Sequence, residues 1–343
     1  MRDFHMPGRS AVFATNGMCA TSTPLAAKVA VQMLESGGNA VDAAIAAAVL
    51  LGICEPQMTG IGGDCFVLLK PTGSDEVLAL NGSGRAPMAL DAATLRDTGL
   101  NAMPLYDARA VTVPGAIDAF CTLARDHGRL GLKAALAPAI HYARAGVPVG
   151  PRTAFDWGLA AQNLSGAARD HYLLDGGAPA PGQIFRHDLQ AQVLERVALE
   201  GRAGFYEGEV AEDMVASLRA LGGSHTLNDF AATACTWDTP IAGSYKGVDL
   251  LEHPPNGQGA TAILLAGILS HFDLPAMGPI SLQRAHIEAE ATKLAYDARD
   301  RFIADMDYTT RLDHMLDPAT AAGLAALIDP NRVMLDPRNA SGA

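Results

Sequence analysis

Hydrophobic and polar positions recur along this chain with helical spacing in some stretches and strand-like spacing in others, and glycine, proline and short polar residues mark the changes. The first eighty residues are the most clearly punctuated. Thr23 is placed as a helix N-cap with Pro24 at the first helical position, and Gly37-Gly38 close that helix. Asn39 caps the next helix, with Asp42 three residues on as the second half of a capping box, and its run AVDAAIAAAVLLGIC reads as a core helix. FVLLK and EVLALN then flank PTGSD, the pattern of a β-hairpin with a longer loop. From about 88 to 235 helical spacing dominates: GAIDAFCTLARDHG, LKAALAPAIHYARAG, DLQAQVLERVALEG and EVAEDMVASLRALGG each carry apolar residues at helical intervals and close on glycine. Strand pattern returns with TPIAGSY, a Lys246-Gly247 turn and VDLLEH, after which PPNGQG leads into the apolar helix ATAILLAGILSHF. The last long helix is predicted over about 281–304, with Ile287, Ala291, Leu294, Ala298 and Phe302 as its buried stripe. On it, Glu290 with Lys293 and Lys293 with Asp297 are spaced as ion pairs on a solvated face. A short helix near 317–328 follows.

This order of elements predicts an α/β (α+β) chain, with helices packed on a sheet. It reads as a single unit over 1–343: core helices and hairpin in 1–87, a helix-rich middle lobe in 88–235, and a return to the core in 236–343. At 343 residues the chain exceeds the usual domain size of about 100–200. A hydrophobic content of 49% is ample for a buried core. The formal charge of −12 opposes nucleic acid as a partner, although a few local arginines can still serve an anionic small substrate. Five scattered cysteines without CxxC spacing read as reduced thiols of a cytoplasmic protein, not as a zinc site or a redox dithiol. The opening MRDFHMPGRSAVFATNG has no apolar signal-peptide core, and the longest apolar run falls short of the roughly 20 residues of a membrane span. A cytoplasmic protein with no membrane partner is the expectation, with the periplasm as the alternative if a further segment precedes this sequence.

The stretch EPQMTGIGGDCF concentrates glycines 60, 62 and 63 between two acids. A phosphate cradle runs strand, glycines, helix; here the order is helix, glycines, strand, and Asp64 stands where a P-loop lysine is needed. Ser83 in NGSGRAP lacks the spacing of a GxSxG elbow, and HIEAE at 286–290 lacks the second zincin histidine. His141 and His286 lie in predicted helices and read as satisfied structural histidines. Cys65 is the best-placed thiol, but Asp64 beside it opposes a thiolate. The chain has the look of an enzyme with its nucleophile missing.

GGNAVDAAIAAAVLLGICEPQMTGIGGDCFVLL resembles the γ-glutamyltransferase signature GGNAxDAAxA…xEPxxxGxGGxxFxL, and the likeness continues through ALNGSGRAP, VPGAIDAF, PPNGQG and EAEATKLAYDARDRF. It covers about residues 11–330. The resemblance implies an N-terminal-nucleophile (Ntn) hydrolase with a four-layer αββα sandwich, completed by a separate small subunit cut from the same precursor. That subunit's N-terminal threonine is the implied nucleophile and its α-amine the base, so no metal or organic cofactor is implied. The chain then matches the large subunit, ending at Gly342-Ala343 where such precursors are cut. A dimer of heterodimers is a further level of assembly that the resemblance leaves room for. In the family the glycine stretch lies between a core helix and a central strand, which implies close backbone packing and φ > 0; if it touches a ligand, the amides of Gly62 and Gly63 are the donors.

The resemblance also marks substrate-binding candidates. γ-Glutamyl transferases place an arginine three residues before the Ala-Pro of this segment, to grip the substrate α-carboxylate; here that position is Ser83, and an arginine follows as Arg85. A shift of two residues moves a side chain about 7 Å along an extended segment, yet keeps it on the same face if the segment is a strand. Arg85 is either the displaced grip or a structural ion-pair partner. PPNGQG is either a helix-starting turn or a cleft wall carrying Asn256 and Gln258. Tyr296, Asp297 and Arg299 match family positions expected to pair structurally, and Thr23 stands where relatives often have histidine. The implied activity is transfer or hydrolysis of the γ-glutamyl group of glutathione and related amides. The alternative is a glutaryl- or cephalosporin-type acylase of the same mechanism, and a third reading keeps the fold as a non-catalytic binding protein.

Overall fold

The structure, a computed structural model, describes residues 11–337; the expected processed end at Gly342-Ala343 lies outside the described residues. Two compact units result: one from the segment ending at Cys65 together with Gly82–Cys235, the other from Phe66–Asn81 together with the segment beginning at Thr236.

In the first unit, helix α1 (Pro24–Glu35) starts at Pro24, whose missing N–H needs no cap. The expected cap by Thr23 is not made: its hydroxyl is buried without a hydrogen-bond partner. Helix α2 (Ala40–Cys54) is capped in full, because Asn39 Oδ1 accepts the N–H groups of Val41 and Asp42 while Asp42 Oδ2 accepts that of Asn39 at 2.9 Å. Asp42 is fully buried and also accepts the N–H groups of Arg129 (3.0 Å) and Leu130 (3.1 Å). Those residues join α3 (Ala116–Asp126) to α4 (Leu132–Ala145), so one carboxylate fixes the start of one helix and the turn between two others. α2 is apolar on all sides because α1, α3 and α4 surround it. Helix α5 (Asp188–Glu200) packs on α4 and is capped by His187, whose Nδ1 accepts the Gln190 N–H at 3.3 Å. A four-residue helix, α6 (Ala203–Tyr206), follows.

The second unit holds a three-stranded sheet in the order β1 (Cys65–Leu69), β2 (Leu78–Gly82), β3 (Thr236–Asp238), with β2 antiparallel to β3 and Leu80 opposite Trp237. Strands β4 (Ile241–Tyr245) and β5 (Val248–Glu252) form the expected hairpin, closed through Lys246 (φ 51°) and Gly247 (φ 82°), the positive-φ pair of a type I′ turn. Helix α7 (Gly259–Leu269) lies on this hairpin and shares a core with α8 (Leu282–Phe302) and α9 (Pro318–Ala325). Ile287, Ala291, Leu294 and Ala298 form the buried stripe as expected, with Phe302 at its half-buried margin.

The solvated-face reading of α8 is overturned. Glu290 is 2% exposed and Asp297 is buried. The Glu290–Lys293 pair forms at 2.7 Å, but Asp297 pairs with Arg301 at 2.6 Å in place of Lys293. Lys293 turns instead to the carbonyl of Met334. Among the described residues no helix is long and apolar enough to cross a membrane.

Candidate functional site

Three of the quoted motifs meet in the first unit, and they are knitted by backbone. The Gly63 carbonyl accepts the N–H groups of Gly115 (3.1 Å) and Ala116 (3.0 Å), which satisfies two of the otherwise orphaned donors at the start of α3. The Val113 N–H donates to the carbonyl of Arg85 at 2.9 Å. Gly84 has φ +75°, and a Cβ there would overlap the Val113 carbonyl oxygen; a Cβ on Gly115 would lie 2.6 Å from the nitrogen of Gly84. Only glycine permits this approach. The glycine loop, NGSGR and VPGAI are thus held in one register.

A buried polar web supports that register. The Tyr206 hydroxyl donates to the Pro114 carbonyl at 2.7 Å and accepts the Asp118 N–H at 3.1 Å. Asp118 in turn accepts from Arg202 Nε and from the Cys235 N–H, both at 2.7 Å. The Arg202 guanidinium stacks 4.7 Å from the Tyr206 ring centroid and donates to the carbonyls of Ala231 and Thr233. Burial pushes the Tyr206 phenol up, so it remains a donor. His225 Nε2 meets the Val111 carbonyl at 2.8 Å.

Ser83 and Arg85 both follow β2, but Ser83 is buried and Arg85 is exposed. The segment is not a strand at these two residues, because β2 ends at Gly82 and the backbone turns at Gly84. Asn256 and Gln258 belong to the second unit. Asn256 Oδ1 accepts from Asn81 Nδ2 at 3.0 Å, and Gln258 Oε1 accepts from Arg299 Nη1 at 3.2 Å. The Gln258 carbonyl takes the Thr261 N–H at the start of α7, so PPNGQG does serve as a helix-starting turn. Arg299 lies 4.1 Å over the Tyr296 ring and pairs with Asp300, the structural pairing expected of it.

Close packing and positive φ do not account for glycines 60, 62 and 63. Gly60, Gly62 and Gly63 have no positive φ, and a Cβ at Gly60 or Gly62 would touch nothing within 4 Å. Close approach rests on Gly52 of α2, where a Cβ would lie 3.2 Å from Gly60 Cα. The loop borders a cavity of about 380 Å³. Burial, followed by the charge of Asp64, pushes the Cys65 thiol up to about 11, and burial is the main cause that takes Cys54, Cys121 and Cys235 to about 12. These four are thiols at neutral pH, not nucleophilic thiolates. Among the described residues no group of three or more His, Cys, Asp or Glu is placed to hold a metal ion.

The gamma-glutamyltranspeptidase family model matches residues 26–342. The chain belongs to the gamma-glutamyltranspeptidase family. Among its relatives is the glutathione hydrolase-like YwrD proenzyme of Bacillus subtilis (strain 168), 34% identical over 321 residues, which cover 92% of this chain and 60% of that protein. The fold is similar to that of the Helicobacter pylori gamma-glutamyltranspeptidase, with a TM-score of 0.84, 27% identity and 95% coverage of both chains. It is also similar to the cephalosporin acylase from Bacillus halodurans, with a TM-score of 0.86, 36% identity, and coverage of 95% of this chain and 62% of that one. The chain thus spans about 60% of the length of the curated proenzyme to which it is 34% identical. At the level of fold class the sequence expectation stands: a mixed α/β chain, rich in helix, with small sheets.

For this transpeptidase-family chain, sequence reasoning missed Tyr206, Arg202, Asp118 and Asn81. Asp118 carried a faint signal, an acid three residues after Gly115 in VPGAID. Tyr206 and Arg202 carried none, because their partners are some eighty to ninety residues away in the chain.

Proposed function

We propose that the chain is the large subunit of a self-processing Ntn amidase, which transfers or hydrolyses the γ-glutamyl group of glutathione and related amides. The N-terminal threonine of a partner subunit from the same precursor attacks the amide carbonyl. Its own α-amine, with a pKa near 8, takes the hydroxyl proton and passes it to the departing amine as the amide C–N bond breaks, and water or an amine acceptor then cleaves the acyl-enzyme ester and restores the threonine hydroxyl. One observation carries the reading: the family match runs from 26 to 342, while the chain spans about 60% of a proenzyme it matches. A second feature fits it. Phe66 and Leu68, on one face of β1, are 41% and 43% exposed, an apolar sheet face of the kind that the second sheet of a sandwich covers. Arg85 is the proposed grip on the substrate carboxylate, with Ser83 beside it in the chain; Asn256 and Gln258 are separate candidates on their own loop.

An acylase of the same mechanism, taking glutaryl or related acyl amides, is the second reading. It is favoured by Ser83 at the position of the family arginine and by the 36% identity with the acylase from Bacillus halodurans. Intact-mass analysis of the purified particle with N-terminal sequencing of every chain tests the mechanism. A smaller partner chain that begins with threonine supports it; a single species, or a partner without Thr, Ser or Cys first, overturns it. The two substrate readings separate on kcat/KM for γ-glutamyl against glutaryl anilides, and Arg85→Ala lowers the preferred value if Arg85 is the grip.

A further inference from the structure

The cavity of about 380 Å³ in the first unit lies between the Pro56–Gly63 loop, Gly52, Tyr172 and Gln190, and its size falls in the usual range for small-molecule sites, about 300–1,000 Å³. Acyl transfer leaves three of its features unused. Gly60 and Gly62 are not required by backbone conformation or by packing, so what their missing side chains do is leave the loop backbone bare toward open space. Gln190 is 7% exposed, lines the cavity, and its amide Nε2 has no hydrogen-bond partner. Gln57 also lines it, with a buried Oε1 that has no partner. A buried donor and a buried acceptor left unmade are each unfavourable, and both are relieved by one group that accepts from the first and donates to the second.

We propose that this cavity is a binding site for a neutral carboxamide, whose carbonyl accepts from Gln190 Nε2 and whose N–H donates to Gln57 Oε1. An amide satisfies two glutamine amides whichever way round each of them sits. The lining side chains (Gln57, Met58, Thr59, Ile61, Tyr172 and Gln190) are uncharged, and the loop is flanked by Glu55 and Asp64. A carboxylate or phosphate would lack the donor that Gln57 Oε1 needs and would find no cation among the lining side chains, and a hydrocarbon would leave both glutamines unpaired. The inference rests on the cavity alone and on no step of the acyl-transfer reading.

Ligand-detected NMR titration of the purified protein with N-acetylglycinamide, and with acetate as the carboxylate control, tests it. Saturable binding of the amide and none of acetate is expected. Gln190→Leu, which removes the orphaned donor, is expected to weaken binding about tenfold or more while leaving the thermal midpoint equal or higher. Gly62→Val fills open space and is expected to fold normally and abolish binding, so the proposal survives a Gln190 variant that fails to fold. N-acetyl-triglycinamide separates the two sources of the same chemistry: if it binds more tightly, a peptide main chain is the natural occupant, and if more weakly, a free small amide. No saturable amide binding by the wild type, equal binding of acetate, or wild-type affinity in either folded variant overturns the site.

Discussion

Glu290 accepts the backbone N–H of Met334 through Oε2 at 3.0 Å, while Lys293 donates both to Glu290 Oε1 (2.7 Å) and to the Met334 carbonyl (2.8 Å). One ion pair on α8 thus offers an acceptor and a donor to the same residue, as a neighbouring strand would, and His286 adds a bond to the Asp329 carbonyl at 2.9 Å. The segment 329–334 is held to the helix by polar bonds as well as by its apolar contacts.

Lys293→Met leaves the Glu290 carboxylate buried without its cation. Losing one partner of a fully buried pair costs about 3–5 kcal/mol; Lys293 is itself 34% exposed, so about 2–3 kcal/mol is expected here. Urea denaturation measures the loss, and hydrogen exchange should show the Met334 amide opening first. A loss below about 0.5 kcal/mol, the size of a surface pair, would mean that water screens the site after all.

Tyr206→Phe removes only an oxygen, but that oxygen serves two buried backbone groups, the Pro114 carbonyl and the Asp118 N–H. The expected destabilisation is about 2–3 kcal/mol, with the m-value unchanged. Denaturation at equilibrium checks it; a variant as stable as the wild type would show that other groups replace both bonds.

Two glycines of the quoted motifs should respond in opposite ways to one methyl group. Gly84→Ala must adopt φ near +75° and push its Cβ against Val113, so a loss of about 2 kcal/mol or more is expected. Gly62→Ala meets open space at an ordinary φ and should stay within about 0.5 kcal/mol of the wild type. Thermal or urea unfolding of the two variants side by side decides the matter, and equal losses would refute the distinction.

The contrast between these glycines marks where the sequence stops being readable. The Asn39–Asp42 box was legible because both partners lie within one helical turn, and so was the Lys246-Gly247 turn, whose geometry follows from two adjacent φ angles. Glu290 looked solvated because the group that buries its carboxylate, Met334, lies 44 residues downstream and its contribution is a backbone N–H, which no side-chain pattern encodes. Arg85 looked as though it shared a face with Ser83 until Gly84 turned the chain between them. The motif content of the site was visible; the backbone bonds that join its pieces were not, since Gly63 and Gly115 meet although they lie 52 positions apart in the chain.

His187 links local capping to solution pH. Burial, with a smaller contribution from neighbouring His171, holds its imidazole below the usual histidine range, and its Nδ1 must stay unprotonated to accept the Gln190 N–H that starts α5. The unfolded chain binds this proton near pH 6.5 and the folded chain only at lower pH. The unfolded state therefore holds more protons in that window, and stability falls as pH drops. The contribution is fully present above about pH 6.5 and is lost as pH falls toward the folded value. Asparagine keeps an N-cap acceptor and does not titrate. Thermal midpoints recorded from pH 8 to pH 5 should decline in the wild type and decline less in His187→Asn. Parallel curves would assign the acid sensitivity to other groups and remove His187 from the account.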